Sequence, residues 1–416
     1  MSKKTIWIMN HYATNMFFDK GGRHYWFAEN LLKNGYEPTI FCANTRHNSG
    51  NMIVISKGKY SRMTTENIPF VFVKTVNYSG NGIQRINNML MFAWNLFSIA
   101  KEYSRNFGKP DVILASSVHP LTLVAGIKIA RKFGVPCICE IRDLWPESLV
   151  AYGFLKRDSI IAKLLYKGEK WIYKNADSII MTWEGGKEYI SDQGWDKHID
   201  LNKVKYINNG VSVEKFDRDS IEHVIKDKDL ENNDLIKIVY TGSVRKVNNI
   251  GLLLDAAKII QDQGYAQIRI LIYGSGEERE ILEKRCKDEN INNVIFKGQI
   301  EKRFVPSVLK KADINVLHNS STVLDKYGQS QNKLFEYLAA GKCIIQTYST
   351  GFSILKKYNC GICVPVQNAE EIAKALIKAC NDKEQYKIMG ANARQASYEY
   401  DFQKLTNELI NIINSL

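Results

Sequence analysis

One short run places a cation and a carboxylate at the start of a predicted helix. It covers residues 332–342 and has the sequence Asn-Lys-Leu-Phe-Glu-Tyr-Leu-Ala-Ala-Gly-Lys. Lys333 lies beside the helix start, where free backbone N–H groups already favour an anion. Glu336 lies one turn later, and its carboxylate can accept hydrogen bonds from both hydroxyls of a ribose. With Gln331 and Asn332, this pair predicts a site for an anion and a ribose; the alternative is an exposed charge pair worth roughly 0.2–0.5 kcal/mol.

Two glycine-containing turns follow predicted strands and precede predicted helices. Gly21 and Gly22 come about a dozen residues after the first strand, where glycine lets the backbone approach a phosphate. They lack the Gly-x-Gly-x-x-Gly spacing of a dinucleotide site, so an oxidoreductase is poorly supported. Gly274, in the run Tyr-Gly-Ser-Gly-Glu at 273–277, presents backbone amides at a strand end or serves only a tight turn. The sequence leaves these two alternatives open.

The run Asp217-Arg218-Asp219 is similar to an Asp-x-Asp metal motif. Such a motif needs a preceding strand that aims both carboxylates at one ion, and this charged stretch has none. We therefore expect no metal site there, and we interpret the segment as part of a solvated linker.

Short apolar runs alternate with helical patterns along the whole chain, which is typical of parallel sheets with crossover helices. The predicted strands are 5–9, 39–42, 70–73, 112–115, 137–141, 178–181 and 205–207, then 236–240, 268–273, 294–297, 314–317 and 343–347. The main predicted helices are 24–33, 87–103, 121–133, 160–174, 250–261, 277–287, 304–311, 332–340 and 402–416. This pattern predicts an α/β fold with two Rossmann-like, doubly wound domains.

The length of 416 residues exceeds what one hydrophobic core usually serves. We predict a first domain at 1–210, a linker at 211–235, a second domain at 236–398, and a helix at 399–416 that packs back on the first domain. The carboxyl ends of both sheets are expected to face one cleft, which is the usual ligand site of such folds.

The formal charge of +13 indicates a polyanionic neighbour, which can be nucleic acid, anionic lipid or a phosphorylated substrate. No nucleic-acid module or dense Lys/Arg run is present, so we expect no nucleic-acid partner. The scattered cysteines and the short apolar stretch after Lys4 favour a cytoplasmic protein. The basic run 57–62, Trp145 and the aromatic segment 87–103 suit a peripheral contact with an anionic membrane, although segment 87–103 is favoured to pack on its own sheet.

These motifs resemble, over nearly the whole chain, the retaining glycosyltransferases of family 4, which have the GT-B fold. The matching parts are the glycine loop at 21–22, the Asn-Asn-Gly-Val run at 208–211 with Phe216, and the strand-to-glycine step at Tyr240-Thr241-Gly242. The most specific part is Glu-Ile-Arg-Asp-Leu-Trp-Pro-Glu-Ser at 140–148, which is similar to a subgroup that builds bacterial surface polysaccharides. The run 332–341 is similar to the same subgroup.

For the donor, the resemblance implies that Glu336 holds the ribose and that Gly242 and Gly274 lie in the donor site. Glu336 matches the second carboxylate of the family's Glu-x7-Glu motif, whereas the first carboxylate position is Gly328. Contacts to the sugar hydroxyls are then expected from the backbone at 327–330.

The resemblance also implies an Arg and a Lys on the donor diphosphate, and this chain departs from the pattern there. Ser243 and Asn248 occupy those two positions. We expect Arg245 and Lys246 to substitute for them, because a departing diphosphate needs a cation when no metal is present.

On the acceptor side, many family members carry a His in the loop where this chain has Arg142 and Asp143. Asp143 is expected to steer the acceptor hydroxyl or to accept its proton. The alternative is that Arg142 and Asp143 only pair with each other and brace the loop. His119, just before Pro120, is a second catalytic candidate, although a loop histidine is more often structural.

The resemblance implies a metal-independent, cofactor-free retaining transferase that uses a nucleotide sugar, with a UDP-sugar expected. Its acceptor is expected to be a saccharide or a polyprenyl-diphosphate-linked saccharide at the inner face of the cell membrane, in lipopolysaccharide or capsule synthesis. Two alternatives stay open. One is a nucleotide-sugar 2-epimerase of the same architecture, and the other is a non-catalytic nucleotide-binding protein, which the departures at Gly328, Ser243 and Asn248 suggest.

Overall fold

The computed structural model describes residues 3–46, 51–78, 80, 82–117 and 119–416. It divides into two compact units, one made of Met1–Asn208 with Phe402–Leu416 and the other of Asn209–Asp401. Among the helices of the described residues, none is long and apolar enough to cross a membrane.

The first unit is built on an eight-stranded sheet with the order β3-β4-β2-β1-β5-β6-β7-β8. Its strands are β1 (Thr5–Met9), β2 (Glu37–Ala43), β3 (Tyr60–Thr65), β4 (Ile68–Val73), β5 (Val112–Ser116), β6 (Cys137–Ile141), β7 (Ser178–Met181) and β8 (Val204–Tyr206). All neighbours pair in parallel except β3 and β4. The central strands are buried on both faces, and this is why they read as continuous apolar runs in the sequence.

Strand β3 gave no apolar signal in the sequence because it is a polar edge strand. Only its antiparallel pairing with β4 defines it, through a two-residue turn at Glu66 and Asn67. Both turn residues have positive φ, 44° and 66°, as a type I′ hairpin turn requires.

Helices of the first unit cover both faces of this sheet. They are α1 (Thr14–Asp19), α2 (Arg23–Lys33), α3 (Ile83–Phe107), α4 (Pro120–Phe133), α5 (Glu147–Ala151), α6 (Ile160–Asn175) and α7 (Gly186–Asp192), with a 3-10 turn at Leu201–Lys203. One face of α3 packs inward through Phe92, Leu96 and Ile99.

The second unit has a six-stranded, all-parallel sheet with the order β11-β10-β9-β12-β13-β14. Its strands are β9 (Ile236–Thr241), β10 (Ile268–Tyr273), β11 (Val294–Gly298), β12 (Ile314–Leu317), β13 (Cys343–Gln346) and β14 (Gly361–Cys363). Its helices are α8 (Val213–Glu222), α9 (Lys228–Glu231), α10 (Ile250–Asp262), α11 (Arg279–Asp288), α12 (Val305–Lys311), α13 (Asn332–Ala340), α14 (Ile354–Lys357), α15 (Ala369–Asn381) and α16 (Lys383–Glu399). Three 3-10 turns lie at Lys246–Asn248, Lys302–Phe304 and Val323–Tyr327.

The stretch 211–235, which we expected to be a linker, forms α8 and α9 instead. Val213 and Phe216 of α8 and Leu230 of α9 are buried in the core of the second unit. These apolar residues are separated by many charged residues, so the sequence pattern does not predict the helices. The packing of Val213, Phe216 and Leu230 into the core of the second unit defines them.

The last helix, α17 (Phe402–Asn414), belongs to the first unit although it follows the whole second unit in the chain. It packs along α2, where the Phe402 ring lies 4.7 Å from Trp26 and 5.4 Å from Phe27 between ring centroids.

A buried ionic cluster joins α2 to the centre of the first sheet. Glu140 of β6 is fully buried and accepts hydrogen bonds from Arg23 Nε at 2.7 Å, His24 Nε2 at 2.8 Å and Ser116 Oγ at 2.6 Å. Burial alone would raise the pKa of Glu140, but Arg23 and His24 hold it well below its usual range. Arg23 also donates to the carbonyl oxygens of Ile207, at 2.9 Å, and Asn208.

His24 is the neutral member of this cluster. The Asn10 side-chain amide lies 2.7 Å from its Nδ1, and Asn10 Oδ1 accepts from the Tyr12 backbone N–H, so the amide nitrogen faces the ring. The proton of His24 is therefore on Nε2, facing Glu140. Burial lowers the pKa of His24, which leaves one charge on Glu140 and one on Arg23.

We expect Glu140→Gln to destabilise the protein by about 3–5 kcal/mol, because it leaves the Arg23 guanidinium buried without a counter-charge. Urea unfolding measures the change. Glu66→Gln is the matched control, since Glu66 forms an exposed pair with Lys20, and it is expected to unfold like the wild type. A Glu140→Gln protein of unchanged stability would contradict the role given to the cluster.

Candidate functional site

The carboxyl edge of the second sheet carries the predicted anion and ribose residues. Three segments meet there: the end of β9, the loop after β12 and the start of α13. Tyr337 of α13 joins that helix to the end of β9, because its hydroxyl accepts a hydrogen bond from the Thr241 N–H at 3.0 Å. His318, directly after β12, is buried and binds Thr347 Oγ1 at 2.7 Å and the Asn249 carbonyl at 2.8 Å.

Lys333 is a half-buried cation at this edge. Its Nζ donates to the His318 carbonyl oxygen at 3.0 Å and lies 3.3 Å from the Tyr240 hydroxyl and 4.5 Å from that ring's centroid. No carboxylate in the part of the chain that the structure describes forms an ion pair with it. Desolvation lowers the pKa of Lys333 to about 7. An anion at this position would restore the stabilisation of the ammonium that burial removes.

Glu336 lies one turn into α13 and is mostly shielded, with its side chain 17% exposed. Its Oε1 pairs with Nζ of Lys302, in the 3-10 turn after β11, whose side chain is 71% exposed. An exposed lysine gives up such a pair at little cost. The carboxylate is therefore available to two hydroxyl donors of a ligand.

The loop that leads into α13 is held by hydrogen bonds on both sides. Gln331 precedes the helix, and its Nε2 donates to the Tyr348 hydroxyl at 2.6 Å, while Asn332 is the exposed first residue of α13. Asn209 Nδ2 donates to the Ser330 carbonyl at 2.7 Å and to Ser330 Oγ at 3.0 Å. The Asn-Gly run that marks the start of the second unit thus fixes the loop before the helix.

The loop after β9 holds the two departures from the family pattern. Ser243 Oγ donates to Asn248 Oδ1 at 2.7 Å, so the two residues that stand at the Arg and Lys positions bind each other. Arg245 and Lys246, which we expected to replace those cations, have exposed side chains. Their contact with a diphosphate stays a prediction, and Lys333 is a further, partly buried cation at this sheet edge.

The turn at Gly274 serves backbone packing. A Cβ atom on Gly274 would lie 1.7 Å from the Gly242 carbonyl oxygen, and one on Gly276 would lie 2.1 Å from the Val244 carbonyl oxygen. The Gly274 N–H donates to the Gly298 carbonyl at 2.8 Å. Of our two alternatives the structure favours the tight turn, because the Gly274 amide already has its partner.

The glycine loop of the first unit connects α1 to α2. Gly22 has a φ of 108°, which only glycine adopts readily, and a Cβ there would lie 3.1 Å from the Met16 side chain. The next residue, Arg23, points into the buried cluster rather than outward. Gly22 therefore has a conformational role in this structure, and the predicted contact of Gly21 and Gly22 with a donor stays a prediction.

Arg142 and Asp143 follow β6 without pairing with each other. The Arg142 N–H is bonded to Ser117 Oγ at 3.0 Å, and its carbonyl accepts from Trp183 Nε1 at 3.0 Å. Arg142 Nε is buried without a hydrogen-bond partner in the described part of the chain. The Asp143 carboxylate keeps access to solvent, yet desolvation by the surrounding protein raises its pKa against the opposing effect of Arg142. The backbone of this loop is fixed while both side chains stay available.

His119 caps the start of α4 and is 2% exposed. Its Nε2 lies 3.2 Å from His11 Nδ1, and His11 Nε2 lies 2.6 Å from Asn88 Oδ1. Asn88 Nδ2 donates to Thr75 Oγ1, so its Oδ1 accepts from His11, and His119 donates to His11 in turn. Burial lowers the pKa of His119 to about 3. The hydrogen bonds favour the structural alternative for His119. The low pKa favours it too, because a base with so low a pKa accepts protons poorly at neutral pH.

The Asp-x-Asp run lies on α8, where both carboxylates are already ion-paired. Asp217 contacts Lys310 at 2.9 Å and also Arg394, and Asp219 contacts Lys215 at 3.0 Å. The run therefore acts as a set of helix-surface ion pairs.

The chain matches two family models. Residues 25–215 match the model described as Glycosyltransferase Family 4, and residues 222–396 match the one described as Glycosyl transferases group 1. An uncharacterized glycosyltransferase of Methanocaldococcus jannaschii is 24% identical over 250 residues, which cover 59% of this chain and 60% of that relative. The match thus spans less than two thirds of that relative's length.

Solved structures extend the likeness to nearly the full chain. HepE of Anabaena, in complex with UDP, has a TM-score of 0.68 at 11% identity and covers 99% of this chain and 100% of its own. WaaG, a glycosyltransferase involved in lipopolysaccharide biosynthesis, has a TM-score of 0.65 at 14% identity, with 99% and 100% covered. At these identities the likeness establishes the fold, which is GT-B.

We expect Lys333→Met to raise the free energy of unfolding by at least about 1 kcal/mol at pH 7, because it removes a half-buried ammonium that has no counter-ion. The folded pKa of Lys333, about 7, lies below the ordinary value of 10.5. The increase in the free energy of unfolding should therefore be largest at and below pH 7, and it should shrink as the pH rises towards 10.5. Urea unfolding at several pH values measures it. Lys246→Met, at an exposed lysine nearby, is the control and should leave stability unchanged.

Proposed function

We propose that this chain, a GT-B glycosyltransferase of the family 4 type, transfers a sugar from a UDP-sugar to a lipid-linked saccharide acceptor. The observation that carries the donor part is that Lys333 and Glu336 lie one turn apart on α13 and do not pair with each other. Lys333 is a desolvated cation without a counter-ion, and Glu336 is a shielded carboxylate held only by an exposed lysine. A nucleoside diphosphate supplies an anion to the first and two ribose hydroxyls to the second.

Solved structures that are similar to this chain support a nucleotide sugar as the donor. HepE of Anabaena was solved in complex with UDP-glucose as well as with UDP. WaaG is involved in lipopolysaccharide biosynthesis, which suits a role for this chain in bacterial surface polysaccharides.

In the proposed reaction, the Lys333 ammonium stabilises the charge that develops on the departing diphosphate. The pKa of about 7 in the free protein rises when that anion binds, so the lysine is protonated when it is needed. Ser243 and Asn248 keep the loop after β9 closed upon itself. The proposed transfer uses no metal ion and no cofactor besides the nucleotide sugar.

On the acceptor side, Asp143 is proposed to receive the proton of the acceptor hydroxyl. Its raised pKa brings the carboxylate closer to the range of a useful general base. Arg142 beside it has no carboxylate partner in the described part of the chain and is available to an acceptor phosphate.

We further propose that helix α3 contacts an anionic membrane. One face packs on the sheet, as we favoured, but the opposite face exposes Ile83, Ile86, Leu90 and Trp94, which are 76%, 56%, 50% and 73% exposed. Their spacing of three and four residues forms one stripe along the helix.

Cations of the basic run at 57–62 flank the same helix, since Lys59 Nζ lies 3.2 Å from Ser98 Oγ and Arg62 lies over the Phe107 ring. Apolar and basic groups together suit a lipid surface.

Glu336→Ala should lower the affinity for UDP at least tenfold, because it removes the acceptor of the ribose hydroxyl bonds. Isothermal titration calorimetry with UDP measures it. Glu370→Ala, at an exposed carboxylate in the first turn of α15, is the control and should bind UDP as the wild type does. Equal UDP affinity in Glu336→Ala and the wild type would overturn the donor assignment, and so would a wild type that binds GDP or ADP in preference to UDP.

Trp94→Ser combined with Leu90→Ser should reduce co-sedimentation with phosphatidylglycerol vesicles at least fivefold and leave UDP affinity unchanged. Vesicles of phosphatidylcholine alone should bind the wild type weakly, and salt should weaken the binding to the anionic vesicles. Wild-type protein that ignores both vesicle types would refute the membrane contact. Unaltered sedimentation of the double variant would show that another surface makes it.

A further inference from the structure

A cavity of about 730 Å³ lies at the amino edge of the second sheet, opposite the edge that carries Lys333 and Glu336. The first residues of three strands line it, namely Ile236 of β9, Ile314 of β12 and Cys343 of β13. Its other walls include the end of α15 and the start of α16. A cavity of this volume is in the range of small-molecule sites, and the proposed transfer does not use it.

Positive charge predominates in the lining of this cavity. Its charged residues are the cations Lys237, Lys342, Lys383 and Lys387 and the acids Asp234 and Asp313. Lys237 and Asp313 neutralise each other, because Lys237 Nζ lies 3.3 Å from Asp313 Oδ2. Lys387 pairs at 2.9 Å with Glu384, which is also exposed. The other two lysines are therefore the candidate ligands for an anion.

Lys342 and Lys383 form no ion pair within the described residues, and the remaining acid of the lining is the exposed Asp234. Lys342 lies directly after α13 and is half-buried, and its ammonium donates no hydrogen bond to the described part of the chain. Desolvation lowers the pKa of Lys342, while Asp313 opposes this effect and Lys237 adds to it. An anion in the cavity would restore the stabilisation of this ammonium that burial removes.

Tyr386 of α16 is a second donor without a partner. It lines the cavity and is 6% exposed, and its hydroxyl forms no hydrogen bond in the part of the chain that the structure describes. A buried tyrosine hydroxyl usually has a partner. Burial raises the pKa of Tyr386 to about 12, so the hydroxyl keeps its proton at neutral pH and can donate it to an anion. The exposed amides of Asn233, Gln267 and Asn381 add neutral donors to the same lining.

We propose that this cavity binds a small phosphorylated metabolite, with its phosphate held by Lys342, Lys383 and Tyr386. Ammonium and phenol groups both donate hydrogen bonds, and a phosphate supplies negative charge and several acceptor oxygens. The site lies at the opposite edge of the sheet from the candidate donor residues, so it is a second site and does not depend on the proposed function.

Pyrophosphate is the first probe, in a Lys333→Met background that removes the cation of the candidate donor site. Titration calorimetry should still detect its binding there. Adding Lys342→Gln should weaken that binding at least tenfold, because a charge-assisted bond is lost. Adding Lys284→Gln instead, at an exposed lysine of α11, makes the same change in net charge and should leave the affinity unchanged. Equal affinities in the two double variants would overturn the proposal, and so would a Lys333→Met protein that binds no pyrophosphate.

Tyr386→Phe separates a binding role from a structural one. It should weaken pyrophosphate about fivefold and should not lower the melting temperature, because the hydroxyl has no partner to lose within the described residues. A lower melting temperature with unchanged affinity would contradict the assignment of Tyr386 to the site.

Glucose 6-phosphate and phosphatidylglycerol vesicles distinguish a soluble ligand from a lipid headgroup. In the Lys333→Met background, glucose 6-phosphate should bind, glucose should not, and Lys342→Gln should weaken glucose 6-phosphate at least tenfold. Co-sedimentation with the vesicles should be the same for Lys342→Gln and the wild type. Vesicle binding that falls in Lys342→Gln, together with no binding of glucose 6-phosphate, would overturn the metabolite as the occupant. A wild type that fails to bind UDP would refute the proposed function alone, because these titrations need no transfer reaction.

Discussion

The buried carboxylate of Glu140 is the interaction on which the first unit depends most. It sits in the central β6 strand and binds donors from α2 and from β5, and Arg23 extends the cluster to the carbonyl groups of Ile207 and Asn208. Segments more than 180 residues apart in the chain meet through one guanidinium. The loop that carries Arg142 and Asp143 begins two residues after Glu140, so the same cluster also fixes the position of the candidate acceptor residues. Removing either charge would leave the other buried and unpaired, which is why the cluster constrains the fold so strongly.

The candidate site of the second unit differs from this cluster, because its partly buried charge has no opposite charge beside it. There the cation of Lys333 is partly buried with only a carbonyl oxygen and a tyrosine beside it. Such a group costs stability in the free protein, and proteins commonly accept that cost where a ligand provides the missing charge. Glu140 and Lys333 thus differ in how their charges are met: the first is satisfied within the fold, and the second, by our proposal, by the anion of the donor.

The two residues that depart from the pattern the sequence resembles make a contact of their own in the structure. Ser243 and Asn248 bind each other, and Lys333 provides a cation from a different element of the same sheet edge. Under the proposed function, the diphosphate requires positive charge at a position in space, not at a position in the chain, and Lys333 on α13 would supply it in place of the loop after β9. Gly328 leaves the sugar end of the proposed donor site without the family's first carboxylate, and the sugar contacts there remain a prediction for the backbone around Ser330.

By itself the sequence determined the alternation of strands and helices, and with it the two parallel sheets, because strands buried on both faces must be continuously apolar. It also pointed to Lys333 and Glu336 as candidate donor residues, because both lie in the first turns of a helix whose start is visible in the sequence; their contact with a donor stays a prediction. Tertiary structure alone decided the features that depend on partners distant in the chain. The polar strand β3 exists only through its pairing with β4, and the helices in 211–235 exist only through the core that Phe216 enters. The close approach at Gly274 depends on the carbonyl of Gly242, and the contacts that favour a structural role for His119 come from His11 and Asn88. Local patterns record a residue's own neighbours in the chain, whereas burial and hydrogen-bond partners are set by the packing of segments that the sequence keeps far apart.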